Sequence, residues 1–92
     1  MTPEDDPRIA ELRAQLTALD ESVLDAVNRR LELVAALRRV KEELGVGFLD
    51  RGREERMHRH LADRNSGPLS ADGLRAFYAE LLALTKRELG EA

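Results

Sequence analysis

Residues 9–44 read IAELRAQLTALDESVLDAVNRRLELVAALRRVKEEL. Ile9, Leu12, Leu16, Leu19, Val23, Ala26, Arg30, Leu33, Leu37, Val40 and Leu44 follow one another in alternating steps of three and four. That is the a/d spacing of one helical face, held over about five heptads. No glycine or proline interrupts residues 8–44, and Gly45 supplies a stop. Asp6 and Pro7 suit the start, as an N-cap followed by the ring favoured at the first helical position. The spacing predicts one helix over residues 7–44. At 1.5 Å per residue it runs roughly 55 Å. A compact chain of this size has a radius of gyration of only about 12 Å. The rest of the chain is too small to cover the whole stripe, so a second copy is the expected cover.

Outward from that helix, residues 1–6 read as a flexible N-terminus and residues 45–49 as a short loop. A second helix is expected over 50–64, capped by Asp50, with Met57 and Leu61 on a narrow apolar face. Asn65-Ser66-Gly67-Pro68 is a turn signal. A third helix is expected over 70–89, with Ser70 as N-cap and Asp72 in its first turn. Leu74, Phe77, Tyr78, Leu81, Leu82, Leu84 and Leu89 form its apolar face. No strand pattern and no repeat appears. The expectation is a single all-α domain over 1–92: long helix, short helix, medium helix.

Composition narrows the chemistry. A chain that is 42% hydrophobic and 36% charged is that of a folded soluble protein. The absence of cysteine excludes disulfides and thiolate catalysis. A net charge of -3 argues against a general nucleic-acid binder. So does the scarcity of aromatic side chains, which are Phe48, Phe77 and Tyr78. No run approaches the ~20 apolar residues of a membrane span, and the acidic start lacks a signal-peptide core. A cytoplasmic location is expected. His58 and His60 lie two apart on helix 2 and point in different directions, so they read as surface residues, with no metal site.

Arg30 is the anomaly in the stripe. It stands in register with Leu16, Val23 and Leu37, and a buried guanidinium without a partner is costly. The plain structural readings are a snorkelling side chain or a pair with Glu32 or Asp20. Arg13 and Lys41 flank the same seam, 28 residues apart, and each alone suits a solvated flank. Arg13 and Arg30 are 17 residues apart, or roughly 25 Å along the axis. One small metabolite does not bridge that gap well. Two copies of the helix, antiparallel and crossing near residues 21–22, set Arg13 of one chain beside Arg30 of the other. Further on, Asp50-Arg51-Gly52-Arg53-Glu54 places Arg53 and Glu54 in the first turn of helix 2. Read locally, this is a capping arrangement.

Taken together, Leu12-Arg13, Leu19-Asp20, Arg30, Lys41, Asp50-x-x-Arg53-Glu54 and a third helix of matching length resemble the AroQ family of chorismate mutases. The resemblance implies an intertwined homodimer of three-helix chains with two active sites and no cofactor or metal. It implies that each site takes Arg13 from the partner chain and Arg30, Lys41, Asp50, Arg53 and Glu54 from the other. The implied substrate is chorismate, a dicarboxylate that rearranges to prephenate without nucleophile or redox group. Such a site holds the dianion in its reactive shape and stabilises charge growing on the ether oxygen. Arginine forks suit the carboxylates, Lys41 a carboxylate and the ether oxygen, and Glu54 the ring hydroxyl. Asp50 shapes the loop beside it, and Arg53 holds Glu54 and Asp50 or approaches the substrate.

Helix 3 departs from the family. A glutamine usually donates to the ether oxygen there, but here Thr85, Glu88 and Leu89 share the relevant face. Counting from Arg53 puts the position at Glu88 or Leu89. As a donor Glu88 must carry its proton, which predicts activity that declines as pH rises through neutrality. The tail Leu89-Gly90-Glu91-Ala92 is similar to that of short mutases that gain activity by docking onto DAHP synthase. Three alternatives stay open: a mutase of 4-amino-4-deoxychorismate, a weakly active module regulated by DAHP synthase, and a structural coiled-coil dimer or DNA-binding helical protein. An isochorismate-pyruvate lyase fits the Asp50-x-x-Arg53-Glu54 element less well.

Overall fold

The structure is a computed structural model and describes residues 2–47 and 50–90, with the side chain of Arg51 excepted. Phe48 and Leu49 of the expected loop, and Glu91 and Ala92 of the tail, lie outside the described residues. The elements are a 3-10 turn, η1 (Pro3–Asp5), and three α-helices: α1 (Pro7–Leu44), α2 (Arg51–Arg64) and α3 (Ala71–Leu89). No strand occurs among the described residues. Two compact units divide within α1, Met1–Leu33 and Val34–Ala92.

The first unit holds η1 and most of α1. Residues 3–5, expected to be without structure, form a turn because Thr2 donates its backbone N–H and its hydroxyl to Asp5 Oδ2, at 3.1 and 3.0 Å. Asp6 then starts α1. Its Oδ1 accepts the Arg8 backbone N–H at 2.8 Å, and its carboxylate also takes the Arg8 guanidinium. These bonds favour the ionised form, the Arg8 guanidinium most strongly, and hold the Asp6 carboxyl below its usual range. No residue of α1 is buried. Leu12, Leu16, Leu19 and Val23 are each more than half exposed.

In the second unit α1 ends on Gly45, whose φ of 68° only glycine adopts readily. Gly45 N–H donates to Glu42 O and Val46 N–H to Lys41 O, at 3.1 and 2.9 Å. This pair of bonds is a Schellman stop, and it fixes the turn that carries Lys41. Asp50 caps α2 by accepting the Arg53 N–H at 3.0 Å. Asn65 organises the next turn: its Nδ2 donates to Leu69 O at 2.9 Å and its Oδ1 accepts from Gly67 N–H at 3.0 Å. Ser70 caps α3 by accepting the Gly73 N–H at 2.9 Å. A Cβ on Gly73 would sit 2.8 Å from Leu69 Cδ1, so the end of that exposed side chain would have to shift to admit one.

α2 packs on α3. Leu74, Tyr78 and Thr85 are the buried residues of α3, spaced so that they share one face. Met57 and Leu61 are half-buried, as their narrow stripe implies. Phe77, expected on the apolar face, is exposed instead.

Candidate active site

The expected site residues fall in both units. Arg13 and Arg30 belong to the first. Arg13 is exposed and pairs with Glu4, an acid outside the sequence pattern. Arg30 is half-buried. Glu32, offered by the sequence as its partner, accepts from Arg29 Nη1 at 3.2 Å.

The second unit carries the rest. Lys41 is half-buried in the last turn of α1. Asp50, beyond its capping bond, lies 3.5 Å from Arg56 Nη2. Arg53 is exposed, and Glu54 is half-buried one turn into α2. Thr85 is buried, and its hydroxyl donates to Leu81 O at 2.8 Å. With that proton committed, its oxygen serves as an acceptor. Glu88 is exposed, whereas Leu89 is half-buried.

One concave surface of this unit, among the described residues, is an open groove of about 540 Å³ between α2 and α3. That volume suits a small metabolite. Of the expected residues, Glu54 lines it. Glu55, His58, Arg59, Arg75, Tyr78, Ala79 and Leu82 complete the lining. Asp50, Arg53, Thr85 and Glu88 are not among the lining residues. The groove therefore sets carboxylates and guanidinium groups around one space, a surface that suits a ligand with both acidic and polar groups.

His58 corrects the sequence reading. It is half-buried rather than on the surface, with its ring against Tyr78. Its Nε2 is buried with no hydrogen-bond partner among the described residues. A signal was present, since His58 lies four residues after Glu54 and three before Leu61, on the packed side of α2. Arg59 and Arg75 gave no such sign, because exposed arginines are ordinary on helices. No group of three histidine, cysteine or acidic side chains that could hold a metal occurs among the described residues.

Comparison with known proteins bears on these positions. The family described as chorismate mutase type II matches residues 12–88. The chain belongs to that family. The match runs from the start of the α1 stripe to the last turn of α3, so it takes in Arg13, Arg30, Lys41, Asp50, Arg53, Glu54, Thr85 and Glu88. The three helices and the absence of strands among the described residues accord with this chorismate mutase family. One curated relative is the 4-amino-4-deoxychorismate mutase of Streptomyces venezuelae, 39% identical over 59 residues. The alignment takes in 60% of this chain and 57% of the relative, so the chain spans little more than half the relative's length. No solved structure matches the chain. Among the described residues, no helix is long and apolar enough to cross a membrane.

Proposed function

We propose that the protein is a chorismate mutase, converting chorismate to prephenate in a pocket shared by two subunits. The observation that carries this reading is the family match over residues 12–88, together with cationic and acidic residues at the family's motif positions. The reaction is unimolecular. One C–O bond breaks while one C–C bond forms within a single ring of electrons, so the chemistry itself calls for no cofactor or metal.

In this reading the protein supplies shape and charge. Arg13 of the partner subunit and Arg30 fork the two carboxylates. That restraint favours the folded, chair-like conformer over the extended one. Lys41 offers a point charge to a carboxylate and to the ether oxygen, where negative charge grows as the C–O bond lengthens. Glu54 accepts from the ring hydroxyl, with Asp50 and Arg53 ordering the turn beside it. Thr85 accepts from within the α3 face, and Glu88 is the candidate donor to the ether oxygen. A homodimer is part of the proposal. Leu12, Leu16, Leu19 and Val23 stand exposed along one face, and covering them removes a long apolar stripe from water. The dianionic substrate does not cross membranes unaided, which keeps the cytoplasm as the proposed location.

A second reading has its own support. The relative named 4-amino-4-deoxychorismate mutase suggests an amino-substituted substrate. Glu54 and Glu55 both line the α2–α3 groove, and paired carboxylates suit an ammonium group at least as well as a hydroxyl. DAHP synthase is kept as a candidate partner on the family resemblance.

The test is turnover of chorismate and of 4-amino-4-deoxychorismate by the purified chain, with products identified, alone and with added DAHP synthase. Conversion of chorismate supports the first reading, and preference for the amino compound supports the second. Silence toward both under every condition would sink the assignment.

A further inference from the structure

Arg38, which no motif singles out, closes the last turn of α3. Its Nη1 donates to Leu89 O at 2.7 Å and its Nη2 to Gly90 O at 2.6 Å. Both bonds are charge-assisted, and they join residues more than fifty positions apart in sequence. Three features make this more than a surface contact. The last carbonyls of a helix lack intrahelical donors and sit at the negative end of its dipole, so a planar guanidinium meets two orphan acceptors at once. The Leu89 bond is partly buried. Gly90 has φ 80° and ψ 164°, a region open essentially to glycine alone. That conformation is the one in which its carbonyl meets the same guanidinium as Leu89.

The position of this clamp matters. Arg38 stands one turn before Lys41 and on the same side of α1. The Schellman stop at Gly45 fixes that segment from its other end. The turn held on the α3 side carries Glu88 and Leu89 and directly follows Thr85.

We propose that Arg38, with Gly90, is a positioning residue that fixes the final turn of α3 against the turn of α1 bearing Lys41. It holds the α3 donor position and the lysine in register for the rearrangement. The catalytic half rests on the chorismate-mutase reading, whereas the structural half does not.

The experiment measures amide exchange of residues 86–89 and steady-state kinetics for wild type, Arg38→Ala, Arg38→Lys, Gly90→Ala and the Arg38→Ala/Gly90→Ala pair. Arg38→Ala should speed exchange in that turn on the order of tenfold and lower kcat about tenfold. KM should move less than about twofold, because Arg38 holds the turn and does not bind substrate. Arg38→Lys, which reaches one carbonyl at a time, should recover part of both losses. Gly90→Ala should act in the same direction, and the double variant should be little worse than either single one. Should Arg38→Ala not fold, Arg38→Lys and Gly90→Ala decide the matter on the same two readouts. Unchanged exchange overturns the proposal. So does faster exchange with kcat intact, which would leave Arg38 as a helix cap alone. Additive losses in the double variant also overturn it. If wild type turns over neither substrate, the functional reading and the catalytic half fail together, and the exchange data still decide the clamp.

Discussion

The imidazole of His58 and the phenol ring of Tyr78 lie 6.4 Å apart between centroids, with their planes 35° from parallel. The separation falls within the range of favourable ring pairs. The contact spans the α2–α3 packing, and Tyr78 is one of the two buried hydrophobic residues of the described chain. It also lines the groove that holds Glu54. Core and candidate site thus share a wall.

Tyr78→Ala should therefore cost about 3 kcal/mol, as truncating a large buried ring does. Tyr78→Phe keeps the ring and should cost under about 1 kcal/mol. Urea unfolding at fixed protein concentration reads both values, and the concentration is fixed because association would shift the midpoint. A loss under about 1 kcal/mol for Tyr78→Ala would mean that Tyr78 does not anchor α2 to α3.

Asp50 offers a way to separate capping from chemistry. It accepts the Arg53 N–H at 3.0 Å. Asp50→Asn retains an acceptor oxygen and should cost only a few tenths of a kcal/mol, while Asp50→Ala should cost about 1 kcal/mol. Turnover tells more. If the carboxylate charge orders the turn beside the substrate, both variants lose activity. If Asp50 is a cap alone, Asp50→Asn keeps it. Unfolding and kinetics on the two variants distinguish these outcomes.

Much of this fold is legible in the sequence because its signals are local. Three-and-four steps of leucine, an uninterrupted run to Gly45, and Asp50 and Ser70 ahead of helical segments all act within a turn of their own position. The same holds for the Asn65–Pro68 stop. What escapes is tertiary. Arg38 looks like any other helical arginine until Leu89 and Gly90 are brought to it. His58 has the spacing of the packed side of α2, but its contact with Tyr78 exists only once α3 is brought to it. Phe77 fits the apolar period of α3, yet it is exposed, since α2 covers only part of that face. For the candidate site, residue types and spacing nominate positions, of which the α2–α3 groove takes in Glu54. The company Glu54 keeps in the groove, with Arg59 and Arg75, depends on how α2 meets α3.

The start of α1 should respond to acid. Arg8 beside Asp6 holds its carboxyl below the usual range. A carboxyl whose folded value is lowered stabilises the folded form at pH above its unfolded value, about 3.9. That contribution disappears as pH falls through the lower folded value. Amide exchange in residues 8–10 should therefore rise as pH drops below about 4, after correction for intrinsic rates. Asp6→Ala should show the frayed pattern already at pH 7 and add little on acidification. Matching profiles for the two proteins would remove Asp6 as the cap.

Glu88 is exposed in the second unit, which leaves its proposed role as donor to be decided by kinetics. If it donates to the ether oxygen, an amide at this position should serve at least as well, because Glu88→Gln carries a permanent N–H donor. Glu88→Gln should match or exceed wild type in kcat, and Glu88→Ala should fall below both. A loss in Glu88→Gln, or an unchanged rate in Glu88→Ala, would move the donor role away from this position.

The shared pocket can be tested without a complex structure. Arg13→Ala and Arg30→Ala should each lower kcat/KM by at least about a hundredfold, since each removes one forked carboxylate contact. Mixing and reannealing the two variants in equal amounts gives heterodimers for about half of all dimers. In a heterodimer one site receives both alanines, and the other receives Arg13 from one chain and Arg30 from the other. About one quarter of all sites are then intact, and activity should return to about that fraction of wild type. If each site took both arginines from a single chain, mixing would restore nothing. The recovered fraction therefore reports which chain supplies Arg13, and a mixture that stays dead would remove the two-subunit pocket from the proposal.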